Sequence, residues 1–99
     1  MITFIRSVVA MPGKTFEALA VGHEIATIAK RATGTEIKIA MPIGGNANEI
    51  GFISYSENMA QAEERLGKLM ADAEYRSAVK KWENVIVPGS ARDQIWRGL

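Results

Sequence analysis

Cysteine is absent from this 99-residue sequence, and histidine occurs only once. The lack of cysteine excludes thiolate catalysis, thiolate zinc sites and dithiol redox chemistry. It is also typical of a reducing compartment, so we expect a cytoplasmic protein. With one histidine, a metal site would depend on carboxylates. The sequence has no acidic cluster of that kind, so we predict no metal and no cofactor.

An excess of either charge is missing too, because 12 Lys and Arg residues face 11 Asp and Glu residues. This balance gives no electrostatic reason to expect nucleic acid or an anionic membrane as a partner. There is no run of 18 apolar residues and no signal-peptide pattern, so neither a membrane span nor export is expected. The length suits one domain covering 1–99, and so short a chain gains stability by burying surface against a partner.

The periodicity of apolar residues predicts the order strand, helix, strand, strand, helix, strand. The predicted strands are Ile2–Met11, Glu36–Met41, Glu49–Tyr55 and Ala91–Arg97. The first predicted helix is Thr15–Thr33, which Gly34 ends. A second helical region begins at the N-cap Asn58, with Gln61 as its capping-box partner. Asp72 caps a further helical segment, which ends before Pro88-Gly89-Ser90. This order is that of the ferredoxin-like split βαβ fold, an α+β class with helices on one face of an antiparallel sheet.

The first predicted strand is apolar on both faces, because both alternating sets of residues in Ile2–Met11 are mostly hydrophobic. A strand of this kind needs cover on both sides of the sheet. Helices can cover one side only, so something else must cover the other.

Arg6 interrupts this otherwise apolar strand. A buried arginine must be paired, and Glu36 or Asp93 can supply the carboxylate across the sheet. Two interpretations stay open. Arg6 is either a structural ion pair or dimer contact, or an anchor for an anion or carboxylate in a pocket.

His23 falls on the predicted first helix, away from the apolar stripe that contains Ala18 and Ile25. This position favours a surface or interface histidine, and the alternative is a ligand or acid–base role. Five aromatic residues suit either a plain core or the wall of an apolar ligand cavity. They are Phe4, Phe52, Tyr55, Trp82 and Trp96. The pocket candidates are therefore Arg6, His23, Tyr55 and Trp82.

The sequence resembles the dimeric α/β-barrel proteins, in particular small bacterial NIPSNAP-like proteins, in three features. These are the order of its elements, Pro12-Gly13-Lys14 after the first strand, and the segment Met70-Ala71-Asp72-Ala73-Glu74-Tyr75-Arg76. Asp72-Ala73-Glu74-Tyr75 is similar to the Asp-Pro-Glu-Tyr turn of that superfamily, with Ala73 in place of proline. The resemblance implies a homodimer in which two ferredoxin-like sheets pack face to face and form a barrel. Such a dimer would supply the missing cover.

Members of this superfamily include cofactor-independent monooxygenases, haem-degrading enzymes, dye-type peroxidases and many proteins without assigned activity. Their ligands often lie between the sheet and the helices of one subunit. The haem-degrading members use an Asn on the first strand and a Trp and a His on a later helix. Here Ile2–Met11 has no Asn and Asn58–Val85 has no His, so no catalytic residue carries over.

Two functions follow as expectations. The first is a small homodimeric NIPSNAP-like α/β-barrel protein of unassigned activity that binds a small apolar or aromatic molecule. The alternative is a cofactor-independent monooxygenase or isomerase acting on an aromatic or polyketide-like substrate. In either case the expected partners are a second copy of the chain and a small molecule.

Overall fold

A computed structural model describes the whole chain, residues 1–99, as an α+β fold with one antiparallel sheet. The strands are β1 Ile2–Val9, β2 Lys38–Ala40, β3 Glu49–Ser56 and β4 Arg92–Arg97. The helices are α1 Thr15–Thr33, α2 Met59–Ala71 and α3 Ala73–Lys81, and a short 3-10 turn, Trp82–Asn84, follows α3. The strands lie in the order β2-β3-β1-β4. The predicted ferredoxin-like fold is confirmed.

Helix α1 covers the predicted residues, and its end has the predicted geometry. Gly34 has a φ of +73° and its N–H donates to the Lys30 carbonyl, which closes the last turn. The helix lies on the sheet through a buried glycine. A Cβ on Gly22 would lie only 2.8 Å from Cε1 of Phe52, so this glycine permits the close approach of α1 to β3.

The second predicted helical region is divided into α2 and α3 at Asp72. The Asn58 side chain accepts from the Gln61 N–H and caps α2, while the Gln61 side chain accepts from the N–H of Glu57 rather than of Asn58. Asp72 has extended backbone angles and accepts from the Tyr75 N–H at 2.9 Å, which begins α3. Both caps, Asn58 and Asp72, agree with the prediction from the sequence.

Three strands are shorter than predicted, and β4 differs least, since it begins at Arg92 instead of Ala91. β1 ends at Val9 because its last residue bonds to a loop, with the Val9 N–H donating to the Ser90 hydroxyl and the Val87 N–H donating to the Val9 carbonyl. β2 pairs with β3 over three residues only, and the two strands are joined by the segment 41–48, of which residues 41–47 are exposed.

The sheet has two different faces. On the helix face, the core lies between the sheet, α1 and α3, and Val8 and Ile50 are almost completely buried. No element of the chain covers the other side, which we call the open face. It includes Thr3, Ile5, Ser7, Val9, Ile53, Tyr55, Gln94 and Trp96, none of which is buried. None of the helices combines the length and the apolar character needed to cross a membrane.

Candidate functional site

A cavity of about 930 Å³ lies between the helix face of the sheet and the helices α2 and α3. This volume falls within the range of small-molecule sites, which are typically about 300–1,000 Å³. Most of its wall is apolar. Apolar contributors include Phe4, Ile25, Ile37, Phe52, Met59, Ala62, Leu66, Leu69, Val79, Ile86 and Ile95.

Strand alternation supplies the floor of the cavity. Because successive side chains point to opposite faces, Phe4 and Arg6 of β1 share the helix face with Phe52 and Ser54 of β3, their direct cross-strand partners, and with Ile95 of β4. All five line the cavity.

Helix α2 supplies the roof. Its apolar side chains recur at helical spacing and lie over the cavity, namely Met59, Ala62, Leu66 and Leu69. No residue of α2 is buried, and Leu66 remains 44% exposed. Leu69 packs against the core, whereas the rest of the apolar stripe of α2 borders the cavity.

Tyr75 and Trp82 form an aromatic wall at the α3 side. Both are largely buried, and the Trp82 ring packs on Phe52 with centroids 5.1 Å apart and planes tilted by 48°. Trp82 Nε1 is buried without a hydrogen-bond partner. Buried indole N–H groups usually have an acceptor, so leaving this donor unpaired lowers the stability of the fold.

The charged group in the floor is Arg6, which is paired with Asp93 of β4. Arg6 Nε donates to Oδ1 at 2.7 Å, and Nη2 donates to Oδ2 at 2.8 Å. This hydrogen bonding raises the pKa of Arg6 and lowers the pKa of Asp93, and the Tyr75 hydroxyl raises that of Arg6 further by a smaller effect. Of the two carboxylates considered from the sequence, Asp93 is the partner.

Further charged side chains occupy the rim. Arg65 Nη1 donates to the Tyr55 carbonyl, and Arg76 Nη1 donates to the Met70 carbonyl, both at 3.0 Å. Neither of these arginines, nor Lys80, has a carboxylate within 4.0 Å, although Glu63 and Glu83 also line the cavity. No group of three or more His, Cys, Asp and Glu side chains is arranged to hold a metal ion.

Of the four residues selected from the sequence, the structure brings two together at the cavity. Arg6 and Trp82 line it. Tyr55 does not, because it lies one residue out of phase with Ser54 and Ser56 and so points to the open face, where Lys38 Nζ is 5.7 Å from its ring centroid. His23 does not either, since it lies on the exposed side of α1.

Tyr75 is a buried aromatic residue of the cavity that is not among the four candidates. Its signal was present in the sequence, because Asp72 caps α3 three residues earlier and Trp82 follows seven residues later, on the same helical face. Arg31 of α1 holds this turn by hydrogen bonds to both carboxylate oxygens of Asp72, at 3.0 and 3.1 Å.

The sequence matches no protein-family model and no curated protein. Several solved structures are similar to it. A NIPSNAP family protein of unknown function from Agrobacterium tumefaciens is 26% identical, with a TM-score of 0.83 over 99% of this chain and 87% of that one. An uncharacterised NIPSNAP domain protein from Burkholderia xenovorans is 14% identical, with a TM-score of 0.85 over 100% and 95% of the two chains.

A more distant similarity is to a proposed antibiotic biosynthesis monooxygenase from Nitrosomonas europaea. The identity is 13% and the TM-score is 0.76, over 100% of this chain and 99% of that one. At this identity the similarity concerns the fold alone. The chain is thus similar, along its whole length, to NIPSNAP family proteins of unknown function and has their ferredoxin-like α+β fold.

Proposed function

We propose that this NIPSNAP-like protein binds a small apolar or aromatic molecule in the cavity between the sheet and α2. One observation carries the proposal, namely the apolar stripe of α2 that borders the cavity and is left unburied. Met59, Ala62, Leu66 and Leu69 recur as core residues do, yet none of them is buried. Exposed apolar surface of this extent is costly unless a partner covers it. A cytoplasmic location is part of the proposal, supported by the lack of cysteine.

The shape of the site supports a small molecule as the occupant. The cavity is concave, it has sheet on one side and helices on the other, and its few polar groups lie among aromatic and aliphatic side chains. This combination is typical of ligand sites. An apolar occupant would cover the stripe of α2 and the rings of Phe52 and Trp82 at once.

Binding can be tested with N-phenyl-1-naphthylamine, a neutral probe whose fluorescence rises in apolar surroundings. We expect saturable binding by the wild type. Ala62→Trp places an indole in the cavity and should abolish binding. Ala60→Trp is the matched control, because Ala60 is on α2 but is exposed and outside the cavity. Absence of probe binding by the folded wild type, or equal binding by both variants, would overturn the proposal.

We also propose that a second copy of the chain covers the open face. Ile5, Ile53 and Trp96 lie on this face, and Trp96 is 60% exposed. Burying such a surface in a symmetric dimer gives a short chain the apolar contact that it cannot make alone. Sedimentation at micromolar concentration should show a dimer. Ile53→Glu should dissociate it, whereas Thr27→Glu, on the exposed side of α1, should not. A stable wild-type monomer would contradict the dimer.

A second candidate is a cofactor-independent monooxygenase or isomerase acting on an aromatic or polyketide-like substrate. Its support is the fold shared with the proposed monooxygenase from Nitrosomonas europaea. Oxygen uptake with anthrone as substrate tests it directly. Turnover that is lost in Ala62→Trp and kept in Ala60→Trp would favour the enzyme over the binding protein.

A further inference from the structure

We propose that the molecule held in this cavity is a monocarboxylic acid with an apolar body, and that its carboxylate binds the free edge of the Arg6 guanidinium. This inference rests on the proposed binding function and specifies the class of ligand. It depends on three features of the site, which are the unused donors of Arg6, the balance of charge around the cavity and the apolar character of the remaining wall.

Arg6 has hydrogen-bond donors that Asp93 does not use. A guanidinium carries five N–H groups, and Asp93 accepts from two of them, one on Nε and one on Nη2. No protein acceptor is in good hydrogen-bond geometry with the remaining three, on Nη1 and Nη2, although the Tyr75 hydroxyl also interacts with the guanidinium. The Nη1–Nη2 edge has the same spacing of donors as the edge that holds Asp93, so it fits a second carboxylate in the same two-bond manner.

The position of Arg6 places its side chain at the cavity. Arg6 lies on the helix face of β1, its side chain is 35% exposed, and it lines the cavity beside Phe4, over whose ring its Cζ lies at 5.7 Å. No other charged side chain projects from the sheet into the cavity.

The charges around the cavity favour an anion with one negative charge. Four cationic side chains line it, namely Arg6, Arg65, Arg76 and Lys80, together with the carboxylates of Glu63 and Glu83. When Asp93 is counted with its partner Arg6, four positive charges face three negative ones. One carboxylate would balance the remaining charge, and its attraction is strengthened because the apolar wall lowers the local dielectric constant.

The rest of the ligand must be apolar. Around Arg6 the floor and the wall present Phe4, Phe52, Trp82 and Ile95, and the roof is the apolar stripe of α2. A polar or multiply charged body would lose its hydration there without gaining partners. Alkyl and aryl monocarboxylates combine the one acid group and the apolar surface that the site accommodates.

The test compares decanoate with 1-decanol, which have the same chain and differ at the head group. Isothermal titration calorimetry with the full chain at pH 7 gives both dissociation constants. We expect decanoate to bind at least about tenfold more tightly, the ratio that one charge-assisted hydrogen bond supplies. Arg6→Gln should bring the ratio close to one. Lys30→Gln, which loses the same charge on the exposed side of α1, should leave the ratio unchanged.

A second variant guards against loss of folding in Arg6→Gln. Arg6→Gln combined with Asp93→Asn removes both charges and keeps side chains that can hydrogen-bond to each other, and it too should bind both molecules equally. Equal binding of decanoate and decanol by the wild type, or a preference that survives in the double variant, would overturn the inference while the binding function stands. If neither molecule binds, both proposals fail.

Discussion

Arg6 and Asp93 are direct partners across the central strand and the edge strand, and their side chains meet through two hydrogen bonds of 2.7 and 2.8 Å. Arg6 of this pair lines the sheet side of the cavity. The pair also joins β4, in which every residue is exposed, to β1, one of the two inner strands of the sheet.

The contribution of this pair to folding should be small. Its side chains are 35% and 43% exposed, and solvent at that exposure screens the charges and hydrates an unpaired Asp93. We expect Arg6→Leu to cost about 1 kcal/mol, and a double-mutant cycle with Asp93→Leu to give a coupling energy of about 1 kcal/mol. Urea unfolding measures both. If the costs of the two single variants simply add in the double variant, the coupling energy is zero and the bonds do not stabilise the fold.

Two glycines in helices should respond to alanine in opposite ways. The added Cβ at Gly22 would lie 2.8 and 2.9 Å from ring atoms of Phe52, so Gly22→Ala should destabilise by about 1–3 kcal/mol through overpacking. Gly67 of α2 has nothing within 4 Å of the same position. Gly67→Ala should therefore stabilise by about 0.5–1 kcal/mol through helix propensity. Thermal unfolding of both variants, showing the same sign, would contradict the packing argument.

Asp72 should make stability depend on pH in the acid range. The hydrogen bond from the Tyr75 N–H, and then that from Arg31, lower the pKa of Asp72 below its ordinary value of 3.8. A carboxylate with a lowered folded pKa contributes stability that is complete above the ordinary value and is lost as the pH falls through the folded one. Asp72→Asn, which keeps a capping side chain, should thus be less stable than wild type at pH 7.

The difference between Asp72→Asn and wild type should narrow as the pH falls below 3.8. Asp72→Ala removes the cap as well as the charge, and we expect it to be less stable than Asp72→Asn at every pH. Unfolding free energies measured from pH 2 to pH 7 provide the comparison. A gap between Asp72→Asn and wild type that does not change with pH would show that the charge is not the cause.

His23 should be dispensable for binding. It is exposed on α1 and lies outside the cavity, and surface substitutions of this kind usually change stability by less than about 1 kcal/mol. His23→Ala should therefore bind N-phenyl-1-naphthylamine as the wild type does. If a substrate is found, a loss of turnover on the order of a hundredfold with the fold intact would instead identify His23 as a general acid or base.

Those parts of the fold that depend on neighbours in the chain could be predicted from the sequence. Apolar spacing predicted α1, and Gly34, Asn58 and Asp72 were each assigned the capping position that they occupy. The lone charge in β1 predicted a carboxylate across the sheet, because a half-buried guanidinium needs one. Each of these signals is local or depends on one strand pairing.

The cavity could not be predicted in the same way. The alternation of side chains shows which residues of a strand share a face, but not which face the helices cover. The sequence therefore groups Tyr55 with Trp82 as pocket candidates, although the two residues lie on opposite sides of the sheet. An apolar stripe such as that of α2 is the same whether it meets side chains or empty space. The distance between α2 and the sheet is a property of the whole packing.

Helix α2 has no buried residue, and this affects the rate at which a bound molecule enters and leaves the cavity. Segments with few buried apolar contacts open at low free energy, so the amides of α2 should exchange with deuterium faster than those of α1, whose inner face is buried. An occupant beneath α2 would leave when the helix opens. Its residence time would then follow the opening rate of thirteen residues, Met59–Ala71, more closely than the strength of any one contact in the floor.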